Sequence, residues 1–110
     1  MKIWLDDIRY PPDTFIWCHS VNEAKETIQR LEKEAGECTR LSIHGHFDIE
    51  LIDCDHDLGD YARFGGDGIR LLDWLEETGR AYPIKIHSMN PVGVERMRAV
   101  IYRNGWREVR

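Results

Sequence analysis

Cysteine is scarce: Cys18, Cys38 and Cys54 are the three in 110 residues. An odd number with no Cys-x-x-Cys spacing excludes a disulfide framework and offers no thiolate zinc site, so the thiols are expected to be reduced and mostly buried. Long apolar runs are absent too, none approaching the ~20 residues that a membrane span requires. The first residues, Met-Lys-Ile-Trp-Leu-Asp-Asp, contain no secretory apolar stretch, so the expected address is the cytoplasm, with no membrane partner. No repeat, linker or low-complexity segment interrupts the chain, and residues 1–110 are expected to form a single domain. A glycine-rich phosphate fingerprint is missing, because Gly65-Gly66-Asp67-Gly68 has neither the spacing nor the lysine. Net positive charge is lacking as well: the chain carries −5, which disfavours a general nucleic-acid coat.

The remaining composition, 42% hydrophobic and 32% charged, is that of a folded globular protein rather than a disordered or fibrous one. Charge is unevenly spread. Residues 1–60 hold 6 Lys/Arg against 14 Asp/Glu, whereas residues 61–110 hold 9 against 6. Arginine outnumbers lysine 11 to 4; a planar guanidinium suits phosphate, although solvated helix faces also account for such residues.

Apolar spacing predicts strands at Lys2–Leu5 and Thr14–Cys18, separated by the loop-forming Pro11-Pro12-Asp13. Ser20 and Glu23 have capping-box spacing, and Val21, Ala24, Ile28, Leu31 and Ala35 form a helical stripe that ends at Gly36. From Thr39 to Asp57, alternation predicts strand on both sides of Gly45, either one bent strand or a hairpin at His44-Gly45-His46. Gly65–Gly68 leads into a helix carrying Ile69, Leu71, Leu72 and Leu75. Pro83–Ser88 is a further strand, Asn90-Pro91 caps a last helix carrying Val94, Met97, Val100 and Ile101, and Trp106–Val109 is an edge strand. Strands alternating with helices imply a mostly parallel sheet with helices on both faces, and ligands in such sheets sit beyond the carboxyl ends of the strands.

Three strands end in residues that a sheet does not need: Asp6 and Asp7; Asp55, His56 and Asp57; and His87, Ser88 and Asn90. Gathered at one edge, the carboxylates repel one another and call for a cation or raised pKa values. Oxygen ligands with few cysteines favour Mg²⁺ or Mn²⁺ over zinc. Solvated turn residues are the plainer alternative, since Asp and Asn are common at strand ends. A calcium loop starting at Asp53, Asp55 and Asp57 fails, because Leu58 stands where the turn glycine belongs and Phe64 where the bidentate Glu belongs. By alternation, His56 would face away from Asp55 and Asp57, and the same question attaches to His87 relative to Ser88. His44 and His46 share a strand face and could bind metal, but a turn beside Gly45 explains them as well. His19 is expected to be structural, and Trp4, Trp17 and Trp74 to be core or interface aromatics.

Leu5-Asp6-Asp7-Ile8-Arg9, Asp55-His56-Asp57-Leu58-Gly59 and His87-Ser88-Met89-Asn90-Pro91 together resemble the signature blocks of the cyclic-phosphate processing receiver family, a divergent branch of the flavodoxin-like receiver superfamily. The likeness spans roughly Met1 to Arg103. It implies a receiver-like three-layer α/β fold with a mostly parallel five-stranded sheet in the order 2-1-3-4-5 and a shortened segment between the first two strands. In phosphoacceptor receivers an acidic pair and a third-strand Asp bind Mg²⁺, and that Asp takes a phosphoryl group; Asp6, Asp7 and Asp55 match these positions, and Asp57 is a further candidate ligand. His87-Ser88 stands in place of the switch Ser/Thr, and Trp106-Arg107 stands where a Lys-Pro is usual, which argues against ordinary phosphorelay. The resemblance implies instead the handling of a cyclic phosphate, such as the 2′,3′-cyclic end of an RNA. His87 is the leading general acid/base and His56 the second, because imidazole titrates near neutrality. Arg9, Ser88 and the helix start at Asn90-Pro91 are candidate phosphate-binding groups. A non-enzymatic receiver-like domain, binding metal and a phosphorylated ligand or protein partner, is the alternative.

Overall fold

The structure, a computed structural model, describes residues 1–40 and 48–110, with the side chains of 37–40 outside the described set. Five strands, β1 (Lys2–Leu5), β2 (Phe15–Cys18), β3 (Leu51–Cys54), β4 (Ile84–Ile86) and β5 (Glu108–Val109), alternate with helices α1 (Val21–Arg40), α2 (Ile69–Glu77) and α3 (Pro91–Asn104). A 3-10 turn at Gly59–Arg63 precedes α2. Every strand pair is parallel. The order is β2-β1-β3-β4-β5, as the receiver resemblance implies.

One consequence of this order was not legible in the sequence. The crossovers β2→β3, β3→β4 and β4→β5 all step in the same direction across the sheet, so right-handed connections place α1, α2 and α3 on one face. The buried set agrees: Ile3, Leu5, Cys18, Ile52, Cys54 and Ile84 join Val21, Ala24, Ile28, Leu31, Leu71, Leu72, Leu75, Met97 and Ile101 in a single core. Only β1→β2 steps the other way. Its connection is too short for a helix, and Thr14 sits at φ 74 to let the chain turn straight into β2. Among the described residues, therefore, helices cover one face only, and the other face carries Lys2, Trp4, Phe15, Trp17, Asp53 and Lys85. The expected third layer is missing from those residues.

Two boundaries also differ. Gly36 does not end α1, which continues to Arg40 and takes in Thr39, expected as strand. An interior glycine costs only about 1 kcal/mol relative to alanine, which a long packed helix tolerates. His44-Gly45-His46 lies outside the described residues. Half of the predicted capping box forms: Ser20 Oγ accepts from Glu23 N–H at 3.1 Å, whereas the Glu23 carboxylate accepts from the N–H of His19, the residue before the cap, at 3.0 Å. Cys18 and Cys54 are free and buried. Burial pushes the Cys18 thiol up to about 11 and that of Cys54 further in the same direction. No helix among the described residues is long and apolar enough to cross a membrane.

Candidate functional site

The parallel order brings the carboxyl ends of β1, β3 and β4 side by side. Asp6, the residue after β1, is 1% exposed. One of its oxygens, Oδ1, accepts from the backbone N–H groups of Ile8 and Arg9, each at 2.9 Å, so the chain turns around the carboxylate. The other, Oδ2, faces His87 Nε2 at 2.8 Å. The far nitrogen of the same ring, Nδ1, meets Asp53 Oδ1 at 2.6 Å. Trp4 stacks flat on the imidazole, with ring centroids 3.9 Å apart and planes within 8°. His87 is thus clamped by two buried carboxylates and one indole.

The electrostatics follow from that clamp. Burial alone would lower the His87 pKa, but the hydrogen bonds and charges of Asp53 and Asp6 overrule it and raise the value above its ordinary 6.5. Burial works to raise Asp6, but the Arg9 and Ile8 amides and the His87 imidazolium bring it below the usual carboxylate range. Asp55 moves the other way, raised chiefly by burial and further by the charge of Asp6, with the His56 N–H and the Ser88 hydroxyl acting against this. Asp7 is raised by burial and by Asp6. His87 therefore faces Asp6 and Asp53 directly with Asp55 close by, and Asp55 and Asp7 hold their protons more tightly than usual.

Of the expected site residues, Asp6, Asp55 and His87 come together, each offering a ligand atom within 4.8 Å of the others. Asp7 lies beside Gly59, where a Cβ would stand 2.6 Å from its Oδ2. Asp57 falls in a different group, with His56 and Asp67. It bonds His56 Nδ1 at 2.7 Å and accepts from Asn90 Nδ2 at 3.2 Å. His56 itself turns away to pack on α3, where a Cβ on Gly93 would lie 2.4 Å from its ring. Ser88 accepts from Asn90 N–H at 3.2 Å and its hydroxyl acts to lower Asp55, while His87 keeps the strand parity of Lys85, which turns its ring to the face of Trp4 and Asp53. Asn90 caps α3, its Oδ1 accepting from Gly93 N–H at 3.0 Å. Arg9 contributes backbone: its N–H goes to Asp6 and its carbonyl accepts from Trp4 Nε1 at 2.9 Å. Its exposed guanidinium has no hydrogen bond or ion pair among the described residues.

Asp53 was missed as a site residue. Its signal was present, a carboxylate inside the apolar stretch Leu51–Cys54 with the same parity as Asp55. Trp4, expected as a core or interface aromatic, is buried, and its register partner is Asp53, which sets the indole under His87. Gly68 is fixed by backbone approach: a Cβ there would stand 1.9 Å from the Asp55 carbonyl oxygen.

Matched against known protein families, residues 1–103 fit the cyclic-phosphate processing receiver domain. The chain belongs to that family. No curated protein and no solved structure matches it. Within this receiver domain the acidic cluster lies at the carboxyl ends of β1, β3 and β4, and the Asp53–His87 pair adjoins it.

Proposed function

We propose that this receiver domain is a metal-assisted phosphoesterase that opens a cyclic phosphate, with the 2′,3′-cyclic end of an RNA as its substrate. The observation that supports this reading is the Asp53–His87–Asp6 arrangement. A buried carboxylate on Nδ1 fixes the tautomer and orientation of the ring, while Nε2 is presented to the acidic cluster, the division of labour of a carboxylate–histidine acid/base pair. With its pKa raised and Nδ1 held by Asp53, His87 is suited to donate the Nε2 proton, released from Asp6, to the leaving ribose oxygen as water attacks phosphorus. The P–O bond to that ribose oxygen breaks, a P–O bond to water forms, and the proton released by water passes to the Asp55 carboxylate. Return of that proton to His87 closes the cycle.

Excess carboxylate charge fits a hard divalent ion, Mg²⁺ or Mn²⁺, which Asp6, Asp7 and Asp55 would hold. Such an ion, when bound, neutralises charge on the non-bridging phosphate oxygens. Asp57 has less claim as a ligand because His56 and Asn90 engage it. His56, packed on Gly93, serves better as a positioning residue than as a second acid. The exposed Arg9 guanidinium, the Ser88 hydroxyl and the α3 N-terminus behind Asn90 supply groups for phosphate. The buried free thiols of Cys18 and Cys54 support a cytoplasmic address.

The test is turnover of adenosine 2′,3′-cyclic phosphate with Mn²⁺ or Mg²⁺, followed by phosphorus NMR. His87→Gln and Asp53→Asn should each lower kcat by roughly 10²-fold or more, and Asp6→Asn should do the same. Full activity in His87→Gln would overturn the assignment. The Ser88–Asp55 contact favours a second reading, a phosphorylatable or ligand-binding receiver. A stable acyl-phosphate mass increment on Asp55 after acetyl phosphate treatment, with no hydrolysis, would select that one.

A further inference from the structure

Five rings run in unbroken contact from the β1–β2 loop to the end of the 3-10 turn. Tyr10 lies 4.9 Å from Trp17, Trp17 stacks on His19 at 4.4 Å, His19 lies 5.5 Å from Tyr61, and Tyr61 lies 6.3 Å from Phe64. They come from three separate segments: the β1–β2 loop, β2 with the residue after it, and the 3-10 turn after β3. The run is tied to the site through Trp17, whose Nε1 donates to the Asp6 carbonyl at 2.8 Å. These rings do not fill the core. Tyr10 is 83% exposed, Phe64 47% and Tyr61 40%, in a chain whose core lies on the other side of the sheet.

We infer that this run is a stacking surface for the nucleobases of a single-stranded RNA whose 3′ end enters the acidic site. The inference rests on the phosphoesterase reading for its direction, and it adds a binding site that the reading does not contain. Three observations favour nucleobases over other occupants. The rings are flat and largely amphipathic, carrying tyrosine hydroxyls, an indole N–H and an imidazole. Such faces suit heteroaromatic planes and stack any base. A cation stands near each end: Arg63 lies 5.7 Å over the Phe64 ring, and Arg9 adjoins Tyr10 in the chain with its guanidinium exposed. Asp60, Tyr61, Arg63 and Phe64 also line a shallow cavity of about 370 Å³, at the small end of ligand-binding clefts.

Net charge decides how such binding would behave. With −5 overall and carboxylates beside the run, phosphate attraction is weak and stacking has to supply the affinity. Binding should therefore depend on bases and respond only shallowly to salt.

The experiment compares a tetra-adenylate ending in a 3′-monophosphate with an abasic tetranucleotide of the same length, each titrated into the full chain by NMR. Neither probe carries a cyclic phosphate, so binding is read independently of turnover. The tetra-adenylate should bind about tenfold or more tightly than the abasic chain. The Tyr61→Ala/Phe64→Ala double variant should lose that preference, Tyr61→Phe should retain it, and Tyr102→Ala, an exposed tyrosine on α3 outside the run, should leave it intact. Equal binding of both probes, binding of neither, or a preference untouched by the double variant would overturn the inference even if cyclic phosphate is hydrolysed. A self-association that the double variant abolishes would also overturn it, assigning the run to a second copy. A base preference carried by the run, in a chain that proves inactive on cyclic phosphate, would support the surface and sink the phosphoesterase.

Discussion

At the scale of single residues, His87 governs both the proposed chemistry and the pH response of the fold. Its folded pKa lies above the ordinary 6.5, so its stabilising contribution is complete below that value and is lost as pH rises through the folded pKa. Asp6 has the opposite sign: lowered below 3.8, it contributes above that value and is lost as pH falls through its folded pKa. Urea midpoints should therefore be highest between these limits and decline on the alkaline side. In His87→Gln the alkaline decline should disappear, because the titrating group is gone; an unchanged decline would place its origin elsewhere. Replacing Asp53 by Asn should weaken the alkaline decline without removing it, since Asp6 still holds Nε2. The strand-end carboxylates were legible because the chain spends polar residues where a sheet needs none. Asp53 was not, because one carboxylate in a short apolar strand reads as part of a loop until register places it under His87.

At the scale of elements, the start of α3 is a device built from three segments. Asn90 caps the helix through Gly93 N–H while its amide reaches Asp57, and Asp57 holds His56, whose ring rests where Gly93 has no Cβ. Asn90→Ala should cost about 1 kcal/mol from the lost cap. Gly93→Ala should cost roughly 1–3 kcal/mol by overpacking against the imidazole. Because the clash is with one side chain, the combination Gly93→Ala/His56→Ala should be less destabilised than the sum of the two single variants, measured as a coupling in urea denaturation. The Asn-Pro start and the Ser20–Glu23 capping box were readable from sequence, since caps act within four residues. The end of α1 was not, because a glycine stop competes with helix propagation and packing, and neither is a local property.

At the scale of the whole molecule, the apolar core of the described residues lies on the helix-covered face. Ile52→Ala, at the centre of that face and fully buried, should lose about 2–5 kcal/mol in urea unfolding. Clustered negative charge at the strand ends opposes folding until it is neutralised, so Mn²⁺ should stabilise the wild type by about 2.7 kcal/mol at a hundredfold excess over Kd and raise its Tm accordingly. Asp6→Asn should lack that increment, and an equal increment in the variant would show that the ion binds elsewhere. The sequence by itself determined the alternation of strands and helices, the sheet order implied by its family blocks, and the three polar strand ends. These are readable because periodicity, caps and contiguous motifs are local. Only the tertiary structure decided which carboxylates face His87, that Asp57 and His56 turn to α3, that the helices share one face, and that five rings from three segments line up. Those facts depend on strand register and crossover direction, which join residues up to 81 positions apart, as in the His87–Asp6 contact, and no local pattern encodes them.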